Sequence, residues 1–181
     1  MRKVLYILGQ LSDDDTEWMI AAGTPRHLAA GTTLIREGQP IDALYVVLEG
    51  ALAVASSALG GQEIARLGVG EIIGEISFVD ARPPSATVTA LQDATVFVLD
   101  RARLHARLEQ DAGFAARFYR AVAVFLADRL RNTVARLGYG AGHDLDEHTE
   151  YEGELDFGVL DNVHLAGARF DRMLKRLVGA T

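Results

Sequence analysis

LIREGQPIDALYVVLEGALAV, residues 34–54, sets two apolar runs of strand length, LYVVL and ALAV (continued by Ala55), on either side of Glu49-Gly50. Each run is too short for an ordinary helix, and a glycine in the turn supplies the backbone freedom that a reversal needs. The same rhythm extends outward. TTLI precedes the stretch, EIARL and TVFVL follow it, and Gly38, Gly50, Gly60-Gly61 and Gly70 punctuate the runs. Strand-length runs broken by glycine roughly every 10 residues imply an antiparallel sandwich or barrel over residues 31–100.

The pattern turns helical at both ends. Ser12 followed by Asp13, Asp14 and Asp15 marks a helix start, with a capping hydroxyl and carboxylates in the positive first turn. This helix carries Trp18, Met19 and Ile20 toward a core and stops near Gly23-Thr24-Pro25. After Asp100, Leu104 and Leu108 indicate a short helix. A long one follows from about Asp111 to Leu137, its apolar residues mostly three and four apart. Ala115, Phe118, Val122, Phe125 and Arg129 form a stripe on it, read as the seam of a homodimer. A last segment spaces Leu160, Val163, Gly167, Phe170, Leu174 and Leu177 as a second seam, with Arg169, Arg172, Lys175 and Arg176 as a basic face. The organisation read from this is a domain over residues 1–137, an acidic Gly-containing linker over 138–158, and an amphipathic helix over 159–178.

Composition narrows the classes. The 181 residues are 49% hydrophobic and 24% charged, ordinary for a globular chain with a core. Cysteine is absent, which removes disulfides and thiolate metal sites. The net charge is −7, and the linker alone holds seven acidic residues with no Lys or Arg, so the rest is neutral. Neither part presents the basic face that nucleic-acid binding requires. The apolar run at the N-terminus is too short for a signal peptide or a membrane span, so the expected address is cytoplasmic, with no membrane partner.

LIREGQPIDALYVVLEGALAV, then GGQEIARLGVGEIIGEISF (60–78), then SATVTAL (85–91), together resemble the cyclic nucleotide-binding domain family, that of the catabolite activator protein and the regulatory subunits of cAMP-dependent protein kinase. The resemblance covers roughly residues 10–137. It implies an α+β fold: an eight-stranded antiparallel β-roll (a double-stranded β-helix, jelly-roll-like) flanked by N-terminal helices and a long C-terminal helix. It also implies a cyclic nucleotide, cAMP or cGMP, as ligand, with no cofactor and no enzymatic activity. With only about 40 residues after the long helix, the expectation is a stand-alone bacterial-type sensor or adaptor without a DNA-binding domain, acting on an unknown protein partner or a second copy.

The stretch GEIIGEISFVDARPPSATVTA (70–90) holds the candidate site. Gly74 permits close approach of the backbone to a sugar. Glu75 can accept a hydrogen bond from a ribose 2′-hydroxyl, the role that the resemblance gives it. Main-chain N–H groups of Ile76, Ser77, Ser85 and Ala86, with the Ser85 hydroxyl, can form an anion nest. Val88 and Ile76 offer apolar contact, or are plain barrel core. The resemblance puts a threonine of the long helix, Thr133, at the base; it is equally a polar residue on a helix flank. Where the family pattern runs Pro-Arg-Ala/Ser-Ala-Thr, this chain has Pro83-Pro84-Ser85-Ala86-Thr87. The phosphate-clamping arginine is missing, and Pro84 has no N–H to donate. Arg82, two residues earlier, either replaces that clamp or is a surface arginine. Glu75 and Gly74 could likewise be no more than a turn.

Rival chemistries are weaker. The linker cluster of His143, Asp144, Asp146, Glu147, His148 and Glu150 reads as a solvated loop rather than a metal site. No histidine lies between residues 31 and 100, so a metal-binding cupin barrel has no ligands, and no nucleophile–base pattern suggests catalysis. Three classes remain: a ligand-gated regulatory module, a roll that binds no nucleotide and serves protein interaction, and, least supported, a DNA-binding regulator.

Overall fold

Two strands carry apolar side chains on both of their faces because both faces are covered. The computed structural model describes residues 4–138 and 157–179, with side chains described over 4–131 and 164–179. In β3 (Ala43–Glu49), Leu44, Val46 and Leu48 join one buried cluster, while Ala43, Tyr45 and Val47 join another. The two-residue period of a strand sends alternate side chains to opposite faces. β8 (Ala94–Asp100) does the same, with Phe97 and Leu99 on one side and Ala94 and Val96 on the other.

The described residues form eight strands in two four-stranded antiparallel sheets. One sheet has the order β1-β8-β3-β6, with β1 at Thr24–Leu28 and β6 at Ile72–Ile73. The other runs β2-β7-β4-β5, with β2 at Thr33–Ile35, β4 at Leu52–Ala55, β5 at Glu63–Leu67 and β7 at Thr87–Ala90. This is the expected β-roll. One cluster fills its interior; the other lies between the first sheet and a layer of helices.

The helical layer comprises α1 (Val4–Gln10), α2 (Asp13–Ala22), α4 (Arg101–Gln110), α5 (Ala112–Gly138) and α6 (Phe157–Leu177). The short α3 (Glu75–Asp80) follows β6. α2 starts as its sequence requires: the Asp15 N–H donates to Ser12 Oγ at 3.1 Å, and the Ser12 N–H donates to Asp15 Oδ2 at 2.8 Å. Reciprocal capping of this kind contributes about 1 kcal/mol. Asp100 caps α4 through Arg103 N–H at 2.9 Å, and Asp111 caps α5 through Phe114 N–H at 2.9 Å.

The helical layer departs from the sequence reading in three places. α1 was implied only by the resemblance, as one of the N-terminal helices, and no local signal located it: seven residues without a capping signal are marginal alone, and α1 exists because Val4, Ile7 and Leu8 are buried in the helical cluster. The stripe read as a dimer seam on α5 faces inward instead. Phe118, Val122 and Phe125 are buried within this single chain, because the first sheet and α1 supply the apolar surface they need. Among the described side chains of α6, Ala166, Arg169, Phe170 and Met173 are buried and Leu174 and Leu177 only partly covered, so this part of the stripe lies to one side of the seam read from spacing; Leu160 and Val163 of that seam lie outside the described side chains. α6 packs on α1 and α2, and its basic face is paired there: Arg169 donates to Asp13 Oδ1 and to the Leu8 carbonyl, each at 2.7 Å. Arg172 and Arg176 both reach Glu17.

Candidate functional site

Gly74 ends β6 with φ +93°, a conformation that other residues adopt only with strain, and a Cβ there would lie 2.8 Å from Ile41 Cδ1 and 3.1 Å from the Ala43 carbonyl oxygen. The glycine is therefore required twice, by its backbone angle and by the wall it touches. It turns the chain into α3, whose first intrahelical bond runs from Phe78 N–H to the Gly74 carbonyl at 2.9 Å. The sequence reading treated Gly74-Glu75 as a turn; it is the start of a helix of six residues. α3 ends at Ala81 in the left-handed region, with φ 57°, and Arg82-Pro83-Pro84 follow.

Around this corner the backbone has unused donors. The N–H groups of Ile76, Ser77, Ser85 and Ala86 make no hydrogen bond to the described residues. Ile73, Ile41, Ala86 and Val88 all belong to the cluster that fills the roll, which brings the start of α3 and the start of β7 to one apolar interior. Val88 is buried there; Ile76 and Ser85 are exposed, and Ser77 is buried. The loop before β7 is tied down on its other side. Gly38 N–H donates to the Pro84 carbonyl at 2.8 Å, Ser56 Oγ to the Ser85 carbonyl at 3.2 Å, and Glu37 N–H to Thr87 Oγ1 at 3.1 Å. Glu37 in turn accepts from both the N–H and the hydroxyl of Ser57, which holds its carboxyl below the usual range. These bonds fix the Pro-Pro loop between two neighbouring loops without consuming the four free N–H groups.

Glu75 is the polar centre of the site. It is only 3% exposed, and its Oε1 accepts from Nη1 of Arg129 on α5. The sequence reading left Glu75 without a protein partner and placed Arg129 on a dimer seam; the fold joins them across 54 residues of chain. A buried carboxylate without a partner is costly, and the guanidinium supplies both charge and a donor. Next to Arg129, Asp128 hydrogen-bonds Tyr6 of α1, and burial first, then Asp128, pushes the Tyr6 hydroxyl pKa up. One turn of α5 thus grips both the N-terminal helix and the start of α3. Thr133 lies one further turn along α5, about 6 Å on, with its side chain outside the described set. The i, i+4 relation between Arg129 and Thr133 was the sequence signal that could have brought Arg129 into the site.

Arg82 is exposed. Its N–H donates to Asp80 Oδ1 at 3.0 Å, and its guanidinium makes no hydrogen bond or ion pair with the described residues. The structure therefore sets Gly74, Glu75, Ile76 and Ser77 at the start of α3, places Ala86 and Val88 against the interior of the roll just after Ser85, joins Glu75 to Arg129, and gives the Arg82 side chain no partner among the described residues. The linker residues weighed for metal lie outside the described residues; among the described ones no group of three or more metal-ligating side chains occurs. No helix among the described residues is long and apolar enough to cross a membrane.

Residues 25–111 match the family model described as the cyclic nucleotide-binding domain. This part of the chain belongs to that family. The crystal structure of a cyclic nucleotide-binding domain from Methylobacillus flagellatus is similar at 25% identity with a TM-score of 0.69, covering 80% of this chain and 85% of that one. Among curated relatives, a cGMP-dependent protein kinase of Caenorhabditis briggsae is 37% identical over 52% of this chain and 12% of its own length. A CRP-like cAMP-activated global transcriptional regulator of Mycobacterium tuberculosis is 27% identical over 60% of this chain and 48% of its own length. The chain thus spans less than half of each of these two relatives, and it shares with them a domain.

Proposed function

We propose that this cyclic nucleotide-binding domain is a regulatory module that binds cAMP or cGMP at Gly74–Ser77 and Ser85–Ala86 and signals through α5. The observation that carries the reading is the Glu75–Arg129 pair beside four unpaired N–H groups. A cyclic nucleotide brings one phosphate charge for those N–H groups and a ribose hydroxyl for Glu75. Arg129 sits on the helix that also holds Thr133 for the base, so a ligand touching Glu75 touches the attachment point of α5. Arg82 is the cation of the Pro-Pro loop, free to turn toward a bound phosphate.

Output then passes to a protein partner or a second copy. The inward-facing stripe leaves Tyr119, Ala123, Ala127 and Leu130 exposed on α5, one face at three- and four-residue spacing, and this face is the proposed homodimer contact.

One observation favours a second reading, a roll that has lost nucleotide affinity and serves only as an interaction module. Pro84 stands where the resemblance places the clamping arginine, and Arg82 makes no contact that would aim it. Thermal denaturation with cAMP and cGMP separates the two, because a ligand at 100 times its Kd adds about 2.7 kcal/mol of stability. A rise in Tm with either nucleotide supports the sensor. No rise at millimolar ligand, with a rise gained by Pro84→Arg, establishes the nucleotide-free module.

A further inference from the structure

Between α2 and α4, away from the nucleotide corner, an open cavity of about 240 Å³ is lined by Trp18 and Ala22 on one side and by Arg103, Ala106, Arg107 and Gln110 on the other. Positions 103, 107 and 110 share one face of α4, so the helix itself aims two guanidinium groups and an amide into the same space. No acidic residue lines it.

The two arginines are incompletely satisfied. Arg107 lies over the rings of Trp18 and Phe114, 5.6 Å from each centroid, and its Nη2 donates to Asp111 Oδ2 at 2.8 Å. Its Nε is buried with no hydrogen-bond partner, and no other side-chain nitrogen or oxygen among the described residues is left so. That nitrogen is covered by the rings, so the groups that face the cavity are the terminal nitrogens of the two guanidiniums. Arg103 uses Nη1 on the Ala22 carbonyl at 2.8 Å and makes no other side-chain hydrogen bond to the described residues. Adjacent guanidinium N–H groups match the paired oxygens of a carboxylate or phosphate. The space exceeds the roughly 30 Å³ share of one water, so it has room for more than a solvent molecule.

We propose that this cavity is a second binding site, for a small anion bearing a carboxylate or phosphate, held by Arg103 and Arg107 with the Trp18 indole as its wall. The inference is independent of the nucleotide reading. The site touches the start of α5, because Asp111, the partner of Arg107, also caps that helix through Phe114 N–H.

Trp18 is the only tryptophan in the chain, so its emission arises from the wall of this cavity. The full chain is titrated with sodium phosphate and, separately, with sodium succinate, in Tris chloride at constant ionic strength. The expected result is a saturable change in emission in at least one series, which also assigns the anion class. Arg103→Gln and Arg107→Lys, each checked for an unchanged circular dichroism spectrum, are expected to raise the Kd by about tenfold or more, the loss of one charge-assisted hydrogen bond. Arg107→Lys keeps the charge and removes the planar guanidinium fork. A response in both series that never saturates and is matched by chloride overturns the proposal. So does a Kd that both variants leave unchanged.

Discussion

At Glu75 the chain keeps a carboxylate almost wholly out of water, and Arg129, which meets it, offsets the cost. Glu75→Gln keeps the shape and removes the charge. It is expected to weaken cAMP or cGMP binding about tenfold or more by calorimetry. Its effect on Tm should be small, because the Arg129 side chain is 42% exposed and water can take over its donors. Unchanged affinity would remove Glu75 from the site. Arg82 and Pro84 form the complementary test. Arg82→Ala is expected to lower affinity by about tenfold if this arginine turns to the phosphate, and Pro84→Arg to raise it by a similar factor through a restored guanidinium clamp. If Arg82→Ala binds as the native chain does, the anion rests on backbone donors alone.

At the scale of the element, the corner between β6 and α3 depends on Gly74. Gly74→Ala combines a left-handed backbone with a contact at 2.8 Å, and is expected to cost about 2 kcal/mol in urea denaturation. A neutral result would mean that Ile41 moves aside freely. In α2, burial raises the Asp15 carboxyl pKa, but hydrogen bonds from Arg117 and Ser12 outweigh it and hold the group at about 2. Arg117 Nε and Nη2 reach Asp15 at 2.6 and 2.9 Å. The folded value lies below the unfolded value of 3.8, so this group stabilises the fold above that pH, by roughly 2 kcal/mol, and the contribution is lost as pH falls through about 2. Asp15→Asn is therefore expected to separate from the native chain in urea midpoint at pH 7 and to converge with it below pH 2. A gap that persists in acid would locate the effect in packing instead of charge.

For the molecule as a whole, α6 closes the helical layer instead of standing apart. Phe170 is buried in the same cluster as Phe114 and Phe118, so Phe170→Ala is expected to cost about 3–5 kcal/mol and to leave a single unfolding transition. A separate early transition would show α6 to be an independent unit. The proposed homodimer is tested on the exposed face of α5: Ala123→Glu should convert a dimer to a monomer in light scattering at tens of micromolar, and a chain that is monomeric without the substitution discards the contact.

Local signals were enough for much of this. The runs and glycine turns of residues 31–100 mark β2, β3, β4, β5 and β8, because strand period and turn chemistry act over a few neighbouring residues, while the full set of eight came from the resemblance. The cap at Ser12 and the spacing along α5 act over the same short range. The glycine, the glutamate and the unpaired N–H groups of residues 74–86 were legible for the same reason. Tertiary structure alone decided which way the stripes face. A seam of Phe118, Val122 and Phe125 reads identically whether a second copy or its own sheet covers it, and the folded chain covers it. It also decided the partners of charges: Arg129 with Glu75, Arg117 with Asp15, and Arg169 with Asp13 span 54, 102 and 156 residues. No pattern within a window of sequence encodes such pairings, because proximity in the fold and not in the chain determines which charges share a low-dielectric space.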